Sequence, residues 1–241
     1  MRLSTGESLI IDGGTGLRNL GIALAREHGA TQPALHFLMT HFHWDHIQGI
    51  PFFAPLYNPA NTVTFHSSHN SAQLKEILGG QMSLPYFPVP FEQLPAKKEL
   101  VSIPPAGISY GGVTIRPFPL NHPQGATGYR MESDGAVIVH ASDFEHGNAR
   151  LDAVLKEYAQ DADILVYDSQ YTPEEYEAKR GWGHSTWVEA VRVARQANVK
   201  RLVLFHHDPS HEDTFVEDLI AQARKEFENT DGAREGWSIG V

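Results

Sequence analysis

Cysteine is absent from the 241 residues. That excludes disulfides and thiolate metal ligands, so any bound metal is held by nitrogen and oxygen alone. An apolar run approaching a membrane span is also missing, and the N-terminus lacks the charged-then-apolar layout of a secretory signal. The chain has neither internal repeats nor low-complexity tails, and no linker divides it. Positive charge is scarce: 19 Lys and Arg stand against 29 Asp and Glu, for a formal charge of −10. Polyanion binding leans on clustered Lys and Arg, so this balance argues against a large nucleic-acid partner. Bound cations would offset part of the deficit. The expectation is one domain over residues 1–241, in the cytoplasm and without a membrane.

What is present is a mixture of strand and helix patterns. Leu9-Ile10-Ile11 reads as a strand, and Leu17, Leu20 and Leu24 form a helical stripe stopped near Gly29. Val63-Thr64-Phe65-His66 reads as a strand. A short helix is expected over 70–78, capped by Asn70 and Gln73 and stopped by Gly79-Gly80. Residues 84–108 are proline-rich and aromatic, which predicts an ordered loop or lid. Leu151, Val154, Leu155 and Tyr158 mark another helix, and a last one should start after Asp213.

The densest chemistry is in Thr40-His41-Phe42-His43-Trp44-Asp45-His46. It follows Leu35-His36-Phe37-Leu38-Met39, which reads as a buried strand ending where the polar groups begin. On an extended chain His41 and His43 point the same way, and Asp45 and His46 come after the turn. Imidazole and carboxylate suit zinc or similar divalent ions, and four in one loop exceed what one open catalytic ion requires. A His-rich surface loop is the plain alternative. The spacing is H-x-H-x-D-H, and the segment resembles the metallo-β-lactamase fold superfamily.

The resemblance implies an α/β fold, an αββα sandwich, and makes demands on the rest of the chain. It requires a further histidine for a first metal, a bridging carboxylate and a last histidine for a second metal. His122, Asp143 and His206 meet these in order, each after an apparent strand. Metal one would then take His41, His43 and His122. Metal two would take Asp45, His46 and His206, with Asp143 bridging. Asp12, in Ile10-Ile11-Asp12-Gly13-Gly14, matches the family's early aspartate, which supports the site from behind. Zinc is the expected ion, with manganese or iron(II) tolerated by the same donors.

The resemblance narrows to a branch. Ile164-Leu165-Val166-Tyr167-Asp168 is a buried-strand pattern ending in a carboxylate, and Gly181-Trp182-Gly183-His184-Ser185-Thr186 follows. This pairing looks like the phosphodiesterase branch, which contains tRNA 3′-processing endonucleases and small cyclic-phosphodiester hydrolases. There the histidine, held by the upstream carboxylate, assists the leaving group; the matching positions are His184 and Asp168. Thr186-Trp187-Val188-Glu189 is also a capping-box pattern, so the plain alternative for His184 is a residue flanking a helix start. The catalytic role is the favoured reading, since a helix start would also fix the side chain and favour a nearby anion.

The expected function is dinuclear metal-dependent hydrolysis of a small phosphodiester, cyclic ones included, with Asp45, His184 and Asp168 central to the chemistry. The alternatives are an acyl hydrolase of lactonase, thioesterase or β-lactamase type, or a tRNA 3′-endonuclease. The long basic, glycine-rich arm of the endonucleases is not evident. Family members usually begin with one more strand before the equivalent of Leu9-Ile10-Ile11. Its lack predicts an uncovered sheet edge, which a homodimer would cover. His36 and His66, within apolar strands, are expected to be buried rather than ligands, and His206 rather than His207 is expected to reach metal. Trp44, Trp182 and Tyr129 are expected to be packed. Substrate discrimination is expected from the proline-rich stretch and from Tyr129-Arg130.

Overall fold

In the computed structural model, which describes residues 1–3 and 5–241, apolar runs become strands and 3.6-residue stripes become helices. They fall into two units, Met1–Gly112 and Val113–Val241. In the first unit β1 (Ser8–Ile11), β2 (Leu35–Leu38), β3 (Thr62–Ser67) and β4 (Lys97–Ser102) form one sheet in that order. All its pairs are parallel. Parallel neighbours need crossovers, and α1 (Gly16–His28), α2 (Trp44–Ile47) and α3 (Ser71–Gln81) lie in them. Every residue of β2 is buried, as expected of an inner parallel strand. Phe37 stacks on Phe65 at 4.8 Å and meets the edge of Phe53 at 5.5 Å. Each such side chain contributes roughly 1.5–3 kcal/mol by leaving water.

Three expectations change in this unit. Helix α3 begins as read, with Asn70 Oδ1 accepting the Ala72 and Gln73 N–H groups, but it runs through Gly79-Gly80 to Gln81. Two helical glycines cost about 1 kcal/mol each relative to alanine. Burial of Leu78 and Met82 offsets this, and the Gln81 side chain donates to the Ile47 carbonyl at 2.6 Å. The proline-rich stretch is not a single loop either. It contains β4, in register with β3 from Thr62↔Lys97 to Ser67↔Ser102, and then leads to β5 (Ile108–Tyr110). Pairing with β3 overrides the weak strand signal of Lys97-Lys98-Glu99. Lastly, the β1 edge is partly covered: the Leu9 N–H donates to the Met1 carbonyl at 2.9 Å, and Arg2 bridges Ser8 antiparallel.

His36 and His66 are buried, as the sequence suggests, and meet one another: Nδ1 of His36 lies 3.3 Å from Nε2 of His66. The Tyr110 ring lies 3.9 Å from that of His36. Burial lowers both imidazoles, and His66 falls to about 4.

Within the second unit six strands run β11-β10-β9-β8-β7-β6. They are β6 (Val113–Leu120), β7 (Ala126–Ser133), β8 (Ala136–Ala141), β9 (Ile164–Asp168), β10 (Arg201–Phe205) and β11 (Thr230–Gly232). The pairs β6/β7 and β7/β8 are antiparallel, whereas β8 through β11 are parallel. Helices α4 (Ala149–Ala159), α5 (Pro173–Glu177), α6 (Trp187–Gln196) and α7 (Asp213–Glu226) fill the crossovers. Leu155, Tyr167, Ala190, Ala194 and Leu202 belong to the core of this unit. Two reversals make β6 parallel to β8, so the C-terminal ends of β6, β8, β9 and β10 share one edge of the sheet.

Strands β7 and β11 are additions to the sequence reading. Tyr129, in β7, is fully buried as expected. Arg130 is committed to the fold: it pairs with Glu132 and donates to the Tyr158 and Gln160 carbonyls. Both side chains are thus engaged within the fold. Half of the box at Thr186 forms: its hydroxyl accepts the Glu189 N–H, while the Glu189 carboxylate turns to Arg192. No helix among the described residues is long and apolar enough to cross a membrane.

Candidate active site

In the first unit the parallel pair β1/β2 delivers Asp12 and the 40–46 loop to one edge. The Asp12 carboxylate organises that loop. Its Oδ1 accepts the Thr40 N–H at 2.7 Å; its Oδ2 accepts the Thr40 hydroxyl at 2.6 Å and His46 Nδ1 at 2.8 Å. A hydroxyl has one hydrogen to give. Having given it to Asp12, Thr40 Oγ1 accepts from His41 Nδ1 at 3.0 Å. The rings of His43 and His46 lie 4.5 and 4.2 Å from that of His41, and Asp45 Oδ2 is 3.2 Å from His46 Nε2. The loop is pressed onto Gly13-Gly14: Gly13 donates to the His46 carbonyl, and Gly49 donates to the Gly13 carbonyl at 2.8 Å. A Cβ on Gly49 would stand 2.0 Å from the Gly14 oxygen, so only glycine permits this approach.

In the second unit the shared strand edge gathers His122, Asp143, Asp168 and His206. His122 Nε2 is 3.7 Å from Asp143 Oδ2, and His206 Nε2 is 3.4 Å from Asp143 Oδ1. Asp168, fully buried, is a four-way acceptor. It takes the N–H groups of Asp143 (3.0 Å), Ser185 (2.9 Å) and Gln170 (3.2 Å), and His184 Nδ1 at 2.8 Å. The His184 ring stacks on that of His206 at 4.8 Å and lies edge-on to that of His122 at 5.3 Å. His122 Nδ1 donates to the Gly183 carbonyl at 2.9 Å, and His206 Nδ1 to Gln170 Oε1 at 3.1 Å.

These contacts test whether the residues suit the divalent ions the resemblance implies. Across the two units, His41, His46, His122 and His206 each spend Nδ1 on an oxygen acceptor. That assigns the lone pair to Nε2, and an outer oxygen of this kind is what orients a ligating imidazole and raises its basicity. Within the second unit, His122, Asp143 and His184 each offer a ligand atom, all within 4.8 Å of one another, as do Asp168, His184 and His206. The donors are nitrogen and oxygen, as zinc, manganese and iron(II) accept. The residues fit the group.

Other histidines are accounted for separately. His207 is largely enclosed, with neither ring nitrogen hydrogen-bonded, and burial lowers its affinity for a proton. His211 pairs with Glu175 at 2.9 Å, and His146 Nδ1 with Ser185 Oγ at 2.8 Å. Trp44 and Trp182 are 62% and 58% exposed, so the expectation that they pack is overturned. Trp44 opens the short helix α2 and Trp182 lies in the turn before His184, and both side chains face outward. Sequence reasoning passed over Thr40 and Gln170 as orienting residues and left the role of Glu145 open. A polar residue two positions after a strand-ending carboxylate was the only signal for Gln170 and Glu145.

The family described as a beta-lactamase superfamily domain matches residues 8–207. The chain belongs to this superfamily. The superfamily match runs through both units. Over 89 residues the chain is 35% identical to ribonuclease Z of Bacillus cereus strain G9842, 37% of this chain but only 29% of that protein. The match therefore spans less than a third of that relative's length. Among solved structures, the metallo-beta-lactamase fold protein YhfI from Bacillus subtilis superposes with a TM-score of 0.70 at 18% identity, covering 97% of this chain and 88% of that one. A diphosphatase from the PhnP family gives 0.69 at 19% identity, covering 98% and 81%. The fold is that of the metallo-β-lactamases.

Proposed function

We propose that this protein is a dinuclear metal-dependent hydrolase of small phosphodiesters, with residues 1–241 as a single hydrolase domain. The observation that carries the reading is the buried Asp168–His184 pair, 2.8 Å apart, with Asp168 also holding the backbone of Asp143. Acyl transfer at a site of this kind does not need that pair. A leaving alkoxide does need a proton donor. In this reading His41, His43 and His122 would hold one ion and Asp45, His46 and His206 the other, with Asp143 available to both. When bound, two such ions lower the pKa of a water toward ~7 and neutralise the non-bridging phosphate oxygens. Asp12 fixes the first set through Thr40 and His46. Asp168 keeps the His184 ring oriented through Nδ1, leaving Nε2 to face the substrate in this reading. As the water oxygen joins phosphorus and the P–O bond to the leaving group breaks, His184 Nε2 passes its proton to the departing oxygen.

A second reading, cleavage at RNA 3′ ends, is favoured by the match to ribonuclease Z and opposed by the charge of −10. The first experiment is hydrolysis of bis(p-nitrophenyl) phosphate by protein stripped of metal and reloaded with zinc or manganese. Metal-dependent turnover is expected, followed by comparison of cyclic nucleotides with a precursor tRNA. Silence in protein carrying two ions per chain would redirect the assignment to acyl substrates.

A further inference from the structure

We propose that Glu145 is a positioning residue whose carboxylate locks the 181–183 turn, and through it sets His122 and His184 as one rigid pair. Glu145 is 9% exposed. Its Oε1 accepts the Gly181 N–H at 2.7 Å and the Tyr176 hydroxyl at 3.0 Å, and its Oε2 accepts the Gly183 N–H at 2.8 Å. Each oxygen thus holds one end of the turn. The Gly183 carbonyl in turn accepts His122 Nδ1, and His184 is the next residue in the chain. Gly183 has φ +92°, and a Cβ there would stand 2.2 Å from His122 Nδ1, so the turn is closed against the imidazole with no slack.

The backbone of Glu145 closes the circuit from the other side. Its N–H donates to the Asn121 carbonyl at 2.8 Å, and the Asn121 side chain donates to its carbonyl at 2.7 Å. Asn121 precedes His122. One residue therefore anchors the His122 segment through its main chain and the Gly183 acceptor through its side chain. A buried carboxylate is costly to desolvate unless its oxygens are satisfied, and here both are satisfied by the turn it holds. Glutamine would keep the shape but offer one oxygen. Its amide group would face a glycine N–H, donor against donor.

The test uses Glu145→Gln in the full chain, stripped of metal and titrated with Zn2+ or Co2+. Affinity for the first ion should fall about 10–100-fold, the usual cost of losing an outer-shell partner. In the metal-free protein, amide exchange at Gly181 and Gly183 should quicken while the thermal midpoint moves little. Turnover of an alkyl diester should fall further than that of bis(p-nitrophenyl) phosphate, because His184 is displaced with His122. Wild-type affinity with unchanged exchange overturns the proposal. So does a lowered midpoint with affinity and leaving-group dependence intact, which would make Glu145 a purely structural residue. If the glutamine variant does not fold, Glu145→Asp carries the same readouts, keeping the charge while withdrawing it by about one bond, ~1.5 Å. Failure of both to fold also overturns it. The turnover arm rests on the proposed function, whereas affinity and exchange need no substrate. Lowered affinity and quickened exchange in a chain that cleaves no diester would uphold the positioning role and sink the phosphodiesterase reading.

Discussion

The two units assemble their candidate ligands in opposite ways. In the first, His41, His43, Asp45 and His46 come from one loop, and a single carboxylate, Asp12, disciplines it from the neighbouring strand. In the second, His122, Asp143, Asp168, His184 and His206 come from well-separated stretches of sequence. They meet because the ends of β6, β8, β9 and β10 share an edge, and several partners hold them: Gly183, Gln170, Asp168 and Glu145. A local set needs one orienting group, and a scattered set needs one per ligand. The first should therefore be sensitive at one position and the second at many.

The largest effect is expected in the scattered set. His184→Ala should retain metal but lose about 10²–10⁴-fold in turnover of diesters with poor leaving groups, roughly 3–5 kcal/mol of barrier. With p-nitrophenolate leaving, the loss should be much smaller. Equal losses on both substrates would remove the acid role and make the second set purely a metal cradle.

Acid should separate the units next. The His66 imidazole is lowered to about 4 by burial, with His36 also lowered. A depressed histidine contributes stability that is present above the unfolded value near 6.5 and lost as pH falls toward the folded one. For His66 that amounts to about 3 kcal/mol between pH 6.5 and 4. Amide protection in β2 and β3 of metal-free protein should decline across that window, and the double substitution His36→Leu and His66→Leu should flatten the decline. A pH profile identical in the double variant would show that other groups govern it.

The smallest effect tests the single-anchor idea. Asp12→Asn should weaken metal binding by about 10–100-fold, because an NH2 replaces one carboxylate oxygen and must face either the Thr40 N–H or the Thr40 hydroxyl and His46 Nδ1, donor against donor. Titration calorimetry with zinc measures it. An unchanged affinity would mean that the loop holds its shape without Asp12, and the contrast between the two sets would collapse.

The local set was legible in the sequence because its ligands are neighbours and its strand is an unbroken apolar run. So were the strand-ending residues Asp143, Asp168 and His206, since the run before each one is plain. What escaped is what depends on tertiary pairing. Lys97-Lys98-Glu99 becomes strand only because β3 has an open side, and α3 continues through two glycines because Leu78 and Met82 have a core to enter. Trp44 and Trp182 look like core residues by type and are surface residues by position. The outer partners Thr40, Gln170 and Glu145 carry no motif, because a hydrogen bond to an imidazole can come from any side-chain or backbone oxygen that the fold brings near.

Asp12, Asp143 and His206 share one further property: each follows a strand with a positive φ, at 56°, 63° and 58°. Only glycine adopts that conformation at no cost, although Asp and His tolerate it better than most residues. The chain accordingly spends conformational energy at the very positions where its chemistry is concentrated. Glycine at any of the three would relieve the backbone and remove either the Asp12 anchor or a candidate ligand. A substitution chosen only to relieve that backbone would weaken the candidate site, so stability and chemistry pull against one another at these three positions.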